Sequence, residues 1–420
     1  MRGSELNALW HPFADMGAVD GARLVITRGE GPWVFGEDGT RYLDGTAALW
    51  YANLGHGRRE IADAVARQMR ELDAYSIFGD FANPPALELA DRLAALMPAP
   101  GAKVFLGSGG GDAIDTAAKV ARRHFAELGQ PDRVHLIGRG HGYHGTHGIG
   151  TSIGGIPANL AGFGPMLEHA SSVPHDDAAA LEAEIVRVGP DRVAAFFCEP
   201  VIGAGGVHLP PDGYLEAVAE ICARHGVLFV ADCVICAFGR LGTWLGIDRW
   251  PVTPDMVTIA KGVTSGTLPL GAVLVAADVA APFFPGEAGA PVLRHGPTYA
   301  GHPACCAAAL AALDLYERDD VIARGRELEA PLAEALAPLA GHELVGEVRA
   351  GTGFLAGVEF DADALAAEPG LPGRLQLAAR ERGVLVRPLG RGVAVSPPLV
   401  CGQEEIDVLA AALAEGLAAL

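Results

Sequence analysis

Lysine is almost missing from this chain of 420 residues: Lys103, Lys119 and Lys261 are the only three, and the other 28 of its 31 basic residues are arginine. Positive charge is scarce overall, since 51 Asp and Glu leave a formal net charge of -20 at pH 7. A surface that acidic repels phosphate backbones and anionic lipid, so neither nucleic acid nor a membrane is an expected partner, and an anionic substrate would need its own local donors. Long apolar runs are also lacking, because Gly, Pro or charge interrupts each one. The stretch from Met1 to Trp10 has no basic region followed by an apolar run, so a cytoplasmic protein is expected. Cysteine is sparse, odd in number at seven, and scattered, which suits a reducing compartment better than a disulfide framework. The adjacent Cys305 and Cys306 fall in an alanine-rich helical stretch where packing is their expected role, and no metal site is expected.

What is present is a globular enzyme's composition, 50% hydrophobic and 20% charged, in a chain long enough for a large domain with a smaller one attached. Trp33-Val34-Phe35 and Arg41-Tyr42-Leu43 flank the Asp38-Gly39 turn and predict a hairpin. From Arg58 to Leu72, Ile61, Val65, Met69 and Leu72 recur at helical spacing. Between about residues 85 and 315, short apolar runs (Val104-Leu106, Val134-Ile137, Val193-Phe197, Val227-Val230, Met256-Ile259, Ala272-Val275) alternate with helix-length segments. That alternation predicts an α/β fold with a mostly parallel central sheet wrapped by helices. After about residue 320 the pattern changes to strands at Phe354-Phe360, Val384-Arg387 and Val393-Val395 and a last helix from Glu404, a small α+β lobe. The expected division is 1–57 as the N-terminal segment of the small domain, 58–316 as the large domain and 317–420 as the C-terminal part of the small one.

Of the lysines, Lys103 opens a strand and Lys119 lies mid-helix, and both read as solvated surface groups. Lys261 follows the apolar strand Met256-Ile259 and precedes Gly262, which places its amine at the carboxyl end of a strand, where open α/β sheets bind ligands. It is either a surface group at a strand end or the residue for the one task arginine cannot perform, imine formation with an aldehyde. Asp232 ends the strand Val227-Ala231 at the same kind of edge. It is either a turn residue or a carboxylate able to keep a pyridine nitrogen protonated. Gly107-Ser108-Gly109-Gly110-Gly111-Asp112, between a strand and a helix, is either a tight turn or a cradle of backbone N–H groups for a phosphate.

Taken together these segments resemble the class III (ω-)aminotransferases of the fold-type I enzymes that use pyridoxal 5'-phosphate (PLP), from about Trp33 to the end of the chain. Pro254 to Val273 (PDMVTIAKGVTSGTLPLGAV) is similar to the family's lysine signature, and Val230 to Gly242 (VADCVICAFGRLG) to its aspartate segment. The resemblance implies that Lys261 and Asp232 are catalytic. It also implies that Gly110, Gly111, Tyr143 (in Gly142-Tyr143-His144-Gly145), Glu199 (in Glu199-Pro200) and Thr298 (in Gly296-Pro297-Thr298-Tyr299) join them in holding PLP. Thr298 would reach the phosphate of a neighbouring subunit, so a homodimer or dimer of dimers with shared sites is implied.

The run from Leu49 to Gly57 resembles the amine:pyruvate branch. By that likeness the substrate pocket falls on Trp50, Phe78, Tyr143, Ala204 and Ile235, and Arg387 binds the carboxylate of the acceptor and swings aside for apolar amines. The expected activity is amino transfer from an amine or ω-amino acid to a keto acid such as pyruvate by a ping-pong mechanism. An aminomutase of the glutamate-semialdehyde type and a non-catalytic PLP-binding protein are the alternatives. The chain departs from the pattern at Cys233 (usually Glu), Ala237 (Gly), Ile202 (Gln) and Gly111 (a phosphate-binding Ser). The loss of the serine hydroxyl at Gly111 leaves backbone N–H groups and Thr298 to hold the phosphate, which implies weaker cofactor retention but not its absence.

Overall fold

The computed structural model describes residues 8–19, 22–164, 166–286 and 288–420. The hairpin is present: β2 (Trp33–Gly36) pairs with β3 (Arg41–Asp44), and β1 (Ile26–Glu30) adds antiparallel to β2. Its turn closes through Gly39, at φ 83°, a left-handed conformation that suits glycine, while Asp38 Oδ1 accepts from Thr40 N at 3.0 Å.

The large sheet has seven strands, in chain order β4 (Lys103–Gly107), β5 (His135–Arg139), β6 (Ala170–Val173), β7 (Val193–Cys198), β8 (Leu228–Asp232), β9 (Met256–Ile259) and β10 (Gly271–Val275). Their order in space is β4-β10-β9-β8-β7-β5-β6, all parallel except β10, which runs antiparallel to both neighbours. The six apolar runs read from the sequence all become strands of this sheet. Every residue of β7, β8, β9 and β10 is buried, because helices such as Gly110–Glu127 and Tyr214–His225 cover the sheet. The central strands are paired on both sides and buried on both faces, and their ends are where side chains can be held to a fixed position.

The C-terminal strands are β11 (Val345–Arg349), β12 (Ala356–Phe360), β13 (Val384–Leu385), β14 (Arg387–Leu389) and β15 (Gly392–Val395). The single strand expected over Val384-Arg387 is divided. β13 pairs in parallel with β3 of the N-terminal sheet, and after Val386 the chain passes into a second sheet, β11-β12-β15-β14. The helix Arg59–Glu71 has the expected position, but Met69 is 55% exposed and only Ile61 is fully buried. Among the described residues, no helix is long and apolar enough to cross a membrane.

Candidate active site

β8 and β9 are adjacent and parallel, with Asp232 in register with Thr258, so both strands deliver their last residues to the same edge. Asp232 is 3% exposed. Its Oδ1 accepts from Thr258 Oγ1 at 3.2 Å and Val234 N at 3.1 Å, and its Oδ2 lies 2.7 Å from Nδ1 of His144. Three partners around one buried carboxylate fix its orientation. Two residues past β9, Lys261 adopts a left-handed backbone (φ 49°). Among the described residues its amine has no hydrogen-bond or ion-pair partner. Burial pushes the Lys261 amine below the usual lysine range, against the opposing pull of Asp232 and Glu199.

Glu199, at the end of β7, is 3% exposed. Its Oε1 accepts from Tyr143 N at 2.9 Å and its Oε2 from Gly203 N at 3.0 Å, so the carboxylate ties the Tyr143 segment to the Gly203 turn. Burial raises its pKa, with His144 opposing. The buried Arg139 donates to the carbonyl of Glu199 and holds that strand end from beneath.

The glycine turn follows β4 and opens the helix Gly110–Glu127. The first N–H groups of a helix have no partner within it and point toward whatever lies beyond the end. Glycine at 110, and at 271 beside the turn, has a packing reason. A Cβ at Gly110 would come within 2.9 Å of Val234, and one at Gly271, the first residue of β10, within 2.3 Å of the Gly109 carbonyl.

These elements enclose a cavity of about 460 Å³. Lys261, Asp232, Glu199, Tyr143, Gly110, Gly111 and Ile235 all line it. The other residues expected at the site lie elsewhere in the single chain. Trp50 is 2% exposed and packs in the core, while its neighbour Tyr51 lines the cavity. Ala204 lines a different cavity, with His141 and His208. Phe78 is 50% exposed, and Thr298 is exposed on the loop whose Gly296 approaches the Phe78 ring. Arg387 is half-buried just beyond the switch between sheets, and its charge reaches both Tyr143 and Lys261.

The sequence reading missed His144, Thr258 and Tyr51. His144 stood beside Tyr143 in a quoted motif, but nothing in one sequence showed that it would meet Asp232 88 residues away. Of the departures from the family pattern, Cys233 is fully buried, its amide donating to Thr258 O at 2.9 Å and its thiol pushed well above the ordinary range by burial. Ala237 is buried, and Ile202 exchanges backbone hydrogen bonds with His208 at 3.0 and 2.9 Å. Arg240 of the same segment is fully buried and joins three distant parts of the chain, donating to Asn53 Oδ1 and to the carbonyls of Phe354 and Pro397.

A lone amine of lowered pKa, a fixed buried carboxylate and a bare helix N-terminus around one cavity match the aldehyde, the ring nitrogen and the phosphate of PLP respectively. The donor set therefore fits that cofactor.

Comparison with known proteins leads to the same chemistry. The family model for class III aminotransferases matches residues 16–417. A putrescine–pyruvate aminotransferase of Pseudomonas aeruginosa is 37% identical, covering 95% of this chain and 91% of that protein. A beta-alanine–pyruvate aminotransferase of the same organism is 35% identical over 93% and 88%. Among solved structures, an amine transaminase from an uncultivated Pseudomonas species in its PLP-bound form superposes with a TM-score of 0.94 at 36% identity, covering 99% of each chain. A thermostable (S)-enantioselective omega-transaminase from Thermomicrobium roseum gives 0.93 at 39% identity over 97% and 96%. Fold, cavity and relatives agree, and the chain belongs to the class III aminotransferases, PLP-dependent transaminases of fold type I.

Proposed function

We propose that this transaminase takes its amino group from an amine or ω-amino acid without an α-carboxylate and passes it to pyruvate. The observation that carries the reading is the placement of Arg387. Beside the polar groups already described, the cavity is lined by Tyr51, Tyr143, Ile235 and Leu268, and among the described residues no arginine lines it. Arg387 stands just outside, with no hydrogen-bond partner among the described residues, and burial pulls its pKa below the ordinary arginine value. A cation fixed inside would penalise an apolar donor by desolvation, whereas one held at the rim can turn in for a carboxylate and out again. Two of the relatives named above are pyruvate aminotransferases.

When bound, PLP supplies an aldehyde that takes up amines and a pyridine ring that withdraws electrons from the adjacent carbon. In this reading Lys261 Nζ is the amine that would hold the aldehyde and, when free, would be the base that takes and returns the proton at the donor carbon. Asp232, steadied by His144, Thr258 and Val234, keeps the ring nitrogen protonated. Tyr143, which lines the same cavity, would pack against the ring. Glu199 holds Tyr143 and the Gly203 turn at a fixed spacing, and Gly110 and Gly111 present backbone N–H groups to the phosphate.

Arg387→Ala is expected to slow the pyruvate half-reaction about ten- to hundredfold, the worth of a charge-assisted bidentate contact, and the amine half-reaction less than about threefold. Stopped-flow absorbance resolves the halves separately. Equal losses in both would make Arg387 structural and send the search for the carboxylate-binding group to another arginine.

The site is proposed to be completed by a second copy of the chain. Tyr75, Phe78, Phe81 and Tyr299 are 51%, 50%, 55% and 70% exposed. They are neighbours, Tyr75 meeting Phe81 edge-on at 5.4 Å and the Thr298 loop abutting Ile77 and Phe78. Apolar surface of that kind beside a cofactor site needs a cover. Phe78→Asp is expected to yield a monomer by sedimentation and to lose activity with it. A fully active monomer would rule out a shared site.

A further inference from the structure

Gly111 stands where the family pattern places a phosphate-binding serine, and the space of the missing side chain is filled. A Cβ at Gly111 would lie 3.3 Å from Cε1 and Nδ1 and 3.4 Å from Cδ2 of His147. Three ring atoms at nearly one distance mean that the imidazole lies flat against the glycine. The segment carrying it is pressed to the same spot, since a Cβ at Gly145 would come 3.0 Å from Gly111 Cα. His147 lines the same cavity as Lys261 and the glycine turn. Its side chain is 49% exposed, and its Nδ1 lies 3.6 Å from Asp112 Oδ1. Asp112 is itself engaged, its Oδ2 accepting from Ser108 N at 2.9 Å.

We infer that His147 is a ligand of the cofactor phosphate, its imidazole supplying the donor that the absent serine hydroxyl would have given. Glycine at 111 and histidine at 147 are then one device. With any larger residue at 111 the ring must move by a few tenths of an ångström or more, and without the ring a glycine there leaves the phosphate one donor short. An imidazole adds what a hydroxyl lacks, the capacity to carry a positive charge beside a dianion. The inference rests on the reading of this cavity as the PLP site, and it reverses the expectation that the loss of the serine weakens cofactor retention.

The test is equilibrium titration of the apoprotein with PLP and, separately, with pyridoxal, which has the aldehyde and ring but no phosphate. His147→Ala is expected to raise the Kd for PLP about tenfold and to leave that for pyridoxal within about twofold, with a shifted ³¹P resonance for the bound cofactor. Adding Gly111→Ser to that variant should recover most of the lost affinity, because the hydroxyl then has room, whereas Gly111→Ser alone should not tighten binding. An unchanged Kd for PLP, an equal loss for both ligands, or the same gain from the serine with and without His147 would each overturn the inference while leaving the PLP site standing. Failure of the unaltered apoprotein to bind PLP at all would overturn both.

Discussion

Lys261→Ala is expected to remove turnover, by at least about 10⁴-fold, because one side chain both carries the cofactor and moves the proton. The fold should survive, since among the described residues the amine has no hydrogen-bond or ion-pair partner to lose. Borohydride reduction of the unaltered holoenzyme should fix the cofactor to the peptide containing Lys261, and mass spectrometry finding it on Lys103 or Lys119 would end the assignment. The lowered pKa makes a further demand. Only the neutral amine attacks an aldehyde, and burial moves neutralisation of Lys261 to lower pH than that of a surface lysine. Capture of PLP by the apoprotein should therefore speed up as pH rises and level off before the ordinary lysine value of about 10.4. A capture rate still climbing at that pH would mean that the amine is not desolvated in solution.

Asp232→Asn should have the second largest effect, about a 10³-fold fall in turnover with PLP still bound. The carboxylate accepts on both oxygens, from Val234 N and Thr258 Oγ1 on one and facing His144 Nδ1 on the other. An amide can satisfy only one of these sides as acceptor, and its NH₂ turns a donor toward the other. More important, it carries no charge to keep the ring nitrogen protonated. The cofactor's absorbance reports binding while the half-reactions report chemistry, so the two losses can be separated. Near-normal half-reactions in this variant would show that another group supports the ring nitrogen.

The strands of the large sheet were legible because each is an apolar run between glycines or charges, and burial on both faces demands that composition. β6 was not, since Ala170-Ser171-Ser172-Val173 lies at the sheet edge and carries little apolar surface. Nor was the division at Val386, because apolar content does not say which neighbour a strand will pair with. The side chains that close the cavity split in the same way. Lys261, Asp232 and Glu199 end strands, and a strand end fixes position. Trp50 and Tyr51 lie at a kinked stretch where Ala47, Ala48 and Trp50 all have positive φ, and there the alternation that tells inward from outward residues is lost. That is why Tyr51, not Trp50, faces the cavity. His144 was quoted yet unassigned because its partner is remote in sequence, and only the assembled sheet brings the two together.

The antiparallel strand β10 has a consequence for the order in which this enzyme can come into being. In the large sheet β4 is bonded to β10 alone, so the glycine turn at its end has no fixed place until Gly271–Val275 has been inserted between β4 and β9. A growing chain that has just released Lys261 already has the strands that set Lys261, Asp232 and Glu199 side by side, but it has nowhere to anchor a phosphate. The phosphate's share of cofactor affinity is thus withheld from the nascent enzyme until β10, which ends 14 residues past Lys261, has emerged and the longest-range pairing of the sheet, between segments some 170 residues apart, has formed. PLP should then bind most tightly to the finished sheet and stabilise it over partly assembled forms that lack the phosphate turn.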